Sequence, residues 1–553
     1  MVVPLRPMIL RRLYLYLVCD AALIVLAAGV ALLGASILPF LFNDPSAEAY
    51  RTSLAIYTAM TVVALPVWGV HFWFAQRFAL RDPYERASSL RRLYLYWACL
   101  IGSIAATILV SAAAVQLLQA GLDNVRFDAL VTSQLGWAAA VGAAVWASHF
   151  YVAWRDRAAV GEEGASATLR RWYMYIALLT GLLMLLIGAA SLLQIAWTDA
   201  ALGTRSRSLA GPGGIVVGGA LLWAVHARAI AVKHIADDRH STLRALEGFI
   251  AVAFSIATAL VGASQILYYI VARALGESDP GHAGTNFVVA AAGPGSQVLV
   301  FGIAWFLISR RLQRDAGTQE ADRQAGIRRL YTNLASLISL AAWSVGAGWL
   351  LWTLAEQAEA PIIGVEPDDW KDPHSVSVTL LIVGGAVWVA HWRHAPWAAD
   401  RQSLSRKLYV WAALLGSVLG VLFAGVAIVN AVLQPVFSAH PRLDDSSNLD
   451  VGHFLAILLV AAGVGIYHWR VLRADAAARP ARPAAAPVSR VATAASATPA
   501  PTVAASEALG PHARRYTLVV TDANDDDVHQ ALSSLPPHAS YHLTPSEQTV
   551  DGR

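Results

Sequence analysis

Through the first 472 positions, long apolar runs alternate with short polar interruptions, and the runs come in pairs. Apolar runs of roughly twenty residues or more read as membrane-spanning helices. The first, Leu13 to Phe42, has 30 residues. As a helix it would measure about 45 Å against a hydrocarbon core of about 30 Å, so it is expected to tilt or protrude. It is too long for the roughly 7–15-residue apolar core of a signal peptide and reads as a retained first helix, although Arg6, Arg11 and Arg12 precede it. Twelve such runs predict twelve spanning helices.

Two recurring words punctuate the runs. One opens the first run of each pair: Arg11-Arg12-Leu13-Tyr14-Leu15-Tyr16, Arg91-Arg92-Leu93-Tyr94-Leu95-Tyr96 and Arg170-Arg171-Trp172-Tyr173-Met174-Tyr175, with looser copies at Arg328-Arg329-Leu330-Tyr331 and Arg406-Lys407-Leu408-Tyr409. The other closes the second run: Trp68-x-x-His71, Trp146-x-x-His149, Trp223-x-x-His226 and Trp388-x-x-His391. Tyr14, Tyr94 and Tyr173 are spaced by 80 and 79 residues, and His391 to His468 is 77. A fixed period of this kind marks a tandem array.

Aligning the words gives an all-α transmembrane fold of six tandem helical hairpins, at residues 10–79, 90–154, 169–233, 242–311, 327–396 and 404–472. Each hairpin brings the chain back to its starting side, so successive units are expected to be parallel repeats rather than the inverted repeats of many transporters. The fourth unit is degenerate, with Glu247 where the first Tyr stands elsewhere and Ile308 in place of the His. The sixth has Gly465 where its Trp is expected. Residues 474–509, rich in Ala and Pro, read as a disordered linker, and 514–553 as a small cytoplasmic α/β tail.

Composition agrees with the pattern. The 553 residues are 57% hydrophobic and 14% charged, where a soluble chain carries roughly 25% charged residues. The excess of basic residues does not form a nucleic-acid face. Lys and Arg number 34 in the termini and the loops joining hairpins, against 7 in the loops within hairpins. That asymmetry predicts a multi-pass membrane protein with both termini cytoplasmic.

The words carry the candidate chemistry. Trp and Tyr favour the headgroup level, and Arg extends toward phosphates, so interfacial anchoring accounts for the set. A sharper reading is a cytoplasmic-face headgroup or anion site built from Arg92, Tyr94, His149, Arg171, Tyr173, His226 and His391. A membrane haem needs two facing His within the bilayer, and one His per hairpin at its edge does not supply them. No metal and no cofactor is expected. Asp20, eight residues into the first helix, is an intramembrane carboxylate and a functional candidate. Cys19 and Cys99, the only cysteines, read as small buried apolar residues. Ser36, Gln116, Gln194, Gln265 and Asn430 recur near the far ends of the odd helices, where hydrogen bonding between helices explains them. No Walker loop, GxSxG elbow, HExxH or CxxC occurs, so nothing points to an enzyme.

Arg91-Arg92-Leu93-Tyr94-Leu95-Tyr96 together with Trp388-x-x-His391-Trp392 resembles an uncharacterised family of bacterial integral-membrane repeats, a domain of unknown function. The resemblance covers about residues 10–472. It implies a location in the bacterial cytoplasmic (inner) membrane and a repeat architecture, and no activity. Three readings of function follow: a structural or lipid-interacting membrane scaffold, which is favoured; a small-solute transporter or channel; and a membrane-anchored sensor whose C-terminal tail binds a protein partner. Membrane lipids are expected partners and nucleic acid is not.

Overall fold

The structure, a computed structural model, describes residues 5–205, 207–233, 238, 241–282, 284–316, 322–363, 370–392, 401, 403–437 and 450–477. The chain divides into two compact units, Met1–Pro480 and Ala481–Arg553. The first four residues of the expected linker, 474–477, instead continue the last helix, where Asp475 pairs with Arg406; the rest of the linker and the α/β tail lie outside the described residues.

Among the described residues of the first unit there are twelve long helices: α1 Leu5–Leu41, α2 Arg51–Arg81, α3 Ser89–Leu122, α4 Ala129–Val160, α5 Gly164–Leu202, α6 Ala210–Lys233, α7 Thr242–Ala274, α8 Ala292–Ala316, α9 Asp322–Ile363, α10 Lys371–Trp392, α11 Leu404–Phe437 and α12 Asp450–Ala477. All twelve hold a stretch long and apolar enough to cross a membrane, and no strand occurs among the described residues. Local chemistry sets the ends. Asp128 caps α4, its Oδ1 accepting from Val131 N at 2.9 Å. Gly203, left-handed at φ 68°, closes α5. Between α1 and α2, Asp44 Oδ1 accepts from Ser46 N at 2.8 Å, and those hydrogen bonds hold the Asp44 carboxyl below its ordinary range.

Large apolar side chains cover the outside of the bundle, among them Val62, Val63, Leu415 and Leu422. Water would not tolerate such a surface, whereas lipid chains match it. The protein is a polytopic membrane protein.

The helices pack by a regular rule. Each odd helix packs most extensively on the even helix that follows it: α1 on α2, α3 on α4, α5 on α6, α7 on α8, α9 on α10 and α11 on α12. Each even helix also leans on the odd helix of the preceding pair, as α4 does on α1, α6 on α3, α8 on α5, α10 on α7 and α12 on α9. Successive odd helices touch as well, which lays the pairs out as a row.

Small residues let each pair close. Eight residues beyond the first Tyr stand Ala22, Gly102, Gly181, Ser255, Ser339 and Ser417. Seven residues before the His, or before Ile308, stand Ala64, Gly142, Gly219, Phe301, Gly384 and Ala461, with the degenerate fourth pair the exception. A Cβ on Gly102 would lie 3.0 Å from Gly142 O, and one on Gly142 would lie 3.0 Å from Ala106 N. The two backbones therefore cross in direct contact, the geometry that small residues permit between membrane helices.

Candidate functional site

The repeated residues gather at the end of the bundle where odd helices begin and even helices finish. Within a pair the first Tyr meets the His. Tyr94 Oη lies 3.0 Å from His149 Nε2, Tyr173 Oη 2.8 Å from His226 Nε2, and Tyr409 Oη 2.9 Å from His468 Nε2. The exposed Tyr14–His71 pair is longer, at 3.4 Å. The other ring nitrogen always faces the carbonyl four residues back: Val145 O at 2.8 Å for His149, Leu222 O at 2.9 Å for His226 and Val464 O at 2.8 Å for His468. A carbonyl only accepts, so Nδ1 carries the proton. In the neutral imidazole Nε2 is then the acceptor and the tyrosine hydroxyl the donor.

The Trp of the second word reaches across to the next pair. Trp68 Nε1–H donates to Tyr94 Oη at 3.1 Å, Trp146 to Tyr173 at 2.8 Å and Trp388 to Tyr409 at 2.8 Å. One phenolic oxygen thus accepts from the preceding pair's indole and donates to its own pair's imidazole. The chain from Trp to Tyr to His to carbonyl leaves no polar atom of these side chains unsatisfied, as burial demands.

The second Tyr of the word has a separate task. Tyr16 stacks on Tyr94 at 5.7 Å and Tyr96 on Tyr173 at 5.8 Å between ring centroids. In Tyr-x-Tyr, then, the first ring binds within its pair and the second packs against the next.

The arginines turn inward to acids. Arg91 and Asp156 are both fully buried, with Arg91 Nε 2.7 Å from Asp156 Oδ2, and Arg86 adds a contact at 3.0 Å. Arg244 grips Asp315 at 2.8 and 3.1 Å, and Arg406 grips Asp475 at 2.7 and 3.3 Å. In these second, fourth and sixth pairs the Arg stands three residues before the Tyr position and the Asp seven after the His position. The first and third pairs draw on acids of their connecting segments: Arg11 and Arg12 on Glu85, Arg170 on Glu162 at 3.0 Å, and Arg171 on Asp238 at 2.8 Å. A guanidinium that meets a carboxylate inside the bundle has no need to extend to a lipid phosphate.

The seven residues of the sequence-derived anion site are therefore brought together by pairs. Tyr94 joins His149 and Tyr173 joins His226, and Arg171 pairs with Asp238. Arg92 is fully buried and donates to Ala153 O at 2.9 Å. His391 stands apart: its Nδ1 meets Val387 O at 2.8 Å and its ring lies 5.8 Å from that of Tyr331. In the fourth pair Glu247 pairs with Arg311, one turn beyond Ile308, so a charge pair stands where the Tyr–His bond stands elsewhere. Asp20 is half-buried on α1, and among the described residues no ion pair or hydrogen bond engages its carboxylate. Cys19 and Cys99 are buried free thiols. Among the described residues no group of His, Cys, Asp and Glu could hold a metal ion.

Sequence reasoning missed the acids. Asp156, Asp315 and Asp475 share the spacing of seven residues from the His position, a signal that was present but lay among loop charges. It missed equally the small residues at the helix crossings.

These features define a class, a many-helix membrane protein whose repeats are joined by buried polar side chains. The chain belongs to the family described as Domain of unknown function (DUF5671), which it matches three times, at residues 12–140, 171–295 and 329–452. The matches start 159 and 158 residues apart, so one family unit spans two helix pairs. The Arg–Asp bond at the spacings just given recurs with the same period, in the second pair of each, its Asp lying just past the matched range. No curated protein and no solved structure matches the chain.

Proposed function

We propose that this protein is a lipid-contacting membrane scaffold built of six parallel helical hairpins, at residues 10–79, 90–154, 169–233, 242–311, 327–396 and 404–472. Both termini lie in the cytoplasm, because the basic loops then stay on the inside. One observation carries the reading. At the junctions made by Trp68, Trp146 and Trp388 the polar atoms of the Trp, the first Tyr and the His are used up inside and between hairpins, as in Trp146–Tyr173–His226, and large apolar side chains cover the exterior. Bonds of that kind hold a row of hairpins in register. The C-terminal tail is the natural attachment point for a protein partner.

A single feature favours a second reading, passage of a small solute. A cavity of about 890 Å³ lies between the fifth and sixth hairpins. At its far end Trp352 Nε1 donates to Glu356 at 3.0 Å, and His453 stacks on Trp352 at 3.7 Å. Asp20 has no place in that cavity and remains a candidate on its own helix. Reconstitution of the full chain into sealed liposomes separates the two readings. A scaffold leaves the vesicles tight to ions and small solutes, whereas saturable uptake lost in Glu356→Gln would overturn it in favour of transport.

A further inference from the structure

The cavity of about 890 Å³ between the fifth and sixth pairs follows one face of α9 from Leu337 to Gln357. That stretch of helix measures about 30 Å, the depth of a hydrocarbon core. Over most of its length the lining is apolar, and small residues keep it open. Gly348 on α9 and Gly416 on α11 both line it, and neither has an atom within 4 Å of where a Cβ would stand. Ala413 and Ala461 line the same space from the sixth pair.

The end away from the repeated words has a different chemistry. Trp349, Trp352 and Glu356 share one face of α9, three and four residues apart, and Trp370 joins them from just before α10. Among the described lining residues Glu356 is the one ionisable side chain. Its Oε1 accepts from the Trp352 indole at 3.0 Å and lies 3.1 Å from His453 Nε2. A carboxylate has acceptor sites on both oxygens, and among the described residues no hydrogen bond engages Oε2. The Glu356 side chain keeps 39% of its surface exposed, so it can be reached. His453 shows what kind of group this end accepts. Its flat ring stacks on the Trp352 indole at 3.7 Å and 13°, with a nitrogen beside the carboxylate. The Trp349 ring has no aromatic or cationic partner among the described residues.

We propose that this cavity binds one amphipathic organic cation, its ammonium or onium centre beside Glu356 and against the Trp349 and Trp370 indoles, and its apolar body along α9. An indole face attracts a cation through its negative quadrupole, more strongly where water is excluded. Glu356 adds the formal charge. The same carboxylate repels an anion, and a neutral acyl chain would use the apolar length but neither the carboxylate nor the indole faces. The proposal goes beyond the scaffold reading and needs no passage of the cation across the bundle.

Equilibrium dialysis of the purified full chain in detergent tests it, with tetraphenylphosphonium as the probe and tetraphenylborate, of the same shape and opposite charge, as its counterpart. The wild-type chain should bind one tetraphenylphosphonium saturably, and tetraphenylborate no more than empty micelles do. Glu356→Gln keeps an oxygen for the Trp352 indole and removes the charge, and should weaken binding about tenfold or more. Gly348→Phe, which fills the cavity and leaves every polar group in place, should do the same. Trp349→Leu should weaken binding roughly fivefold. Glu48→Gln removes an exposed carboxylate between α1 and α2 and should leave binding unchanged. Equal binding of the two ions, or cation binding that survives both Glu356→Gln and Gly348→Phe, would overturn the proposal. So would the absence of saturable binding, which would leave the cavity to acyl chains. The liposome assay decides the scaffold reading separately, because tight vesicles are compatible with either an occupied or a vacant cavity.

Discussion

Trp146, on the second helix of one packed pair, gives its indole N–H to the phenolic oxygen of Tyr173 on the first helix of the next, at 2.8 Å. The same oxygen is held at 2.8 Å by His226. Local pairing and assembly of the row therefore share one atom, and losing that atom breaks both.

A comparison of two tyrosines tests this economy. Tyr409→Phe strips the oxygen from a closed chain and leaves the Trp388 indole and His468 without their partner, which should cost about 1–3 kcal/mol. Tyr331→Phe removes an oxygen that no described residue uses, and should cost less than about 0.5 kcal/mol in lipid-free detergent. Denaturation of the two purified variants gives the difference. Equal losses would mean that the junction between the fourth and fifth pairs, where Tyr331 stands, is closed as well.

Asp156→Asn should be severe. It leaves the Arg91 guanidinium buried and unneutralised, a change that costs about 3–5 kcal/mol for a buried pair. The double variant Arg91→Met, Asp156→Leu should recover much of that loss, since a well-packed apolar pair often replaces a buried ion pair at little cost. The yield of folded protein and its melting temperature read both. A double variant as unstable as the single one would show that the charges have a further role.

Gly142→Val tests the crossing of α3 and α4. Even the Cβ would lie 3.0 Å from Ala106 N and 3.2 Å from Gly102 O, and both obstacles are backbone. Overpacking of this kind costs about 1–3 kcal/mol or more. Gly136→Ala, on the same helix with open space beside it, should change the melting temperature little.

Topology follows from the basic loops. A cysteine at Val125, between α3 and α4, should react with a membrane-impermeant maleimide in intact cells. One at Glu163, between α4 and α5, should react only after permeabilisation. The native Cys19 and Cys99 are buried and should stay silent. The reverse labelling pattern would invert the orientation.

The helices were legible because crossing a bilayer leaves a long apolar run that nothing else in the chain imitates. The meeting of Tyr94 with His149 was legible from the antiparallel return of a short loop. The link from Trp68 to Tyr94 was not. Spacing shows which face of a helix a residue shares but gives no sign that an indole passes its own His and reaches the neighbouring helix pair. The acids were hidden for another reason: in a loop otherwise rich in charge, Asp156 looks like solvated surface until Arg91 is placed beside it. Glu247 and Ile308 visibly change together, yet Arg311, which turns the change into a salt bridge, resembles any other basic residue at a helix end.

A double-mutant cycle on Trp146 and Tyr173 reaches the central claim most directly. Trp146→Phe, Tyr173→Phe and the double variant would be unfolded in the same detergent, each as the full chain. Residues in direct hydrogen-bonded contact couple by about 0.5–3 kcal/mol. A coupling in that range, with none between Trp146 and Tyr409, is the result predicted for hairpins joined bond by bond. Additive losses for Trp146 and Tyr173 would contradict it, leaving the Trp and Tyr words as independent anchors at the membrane surface.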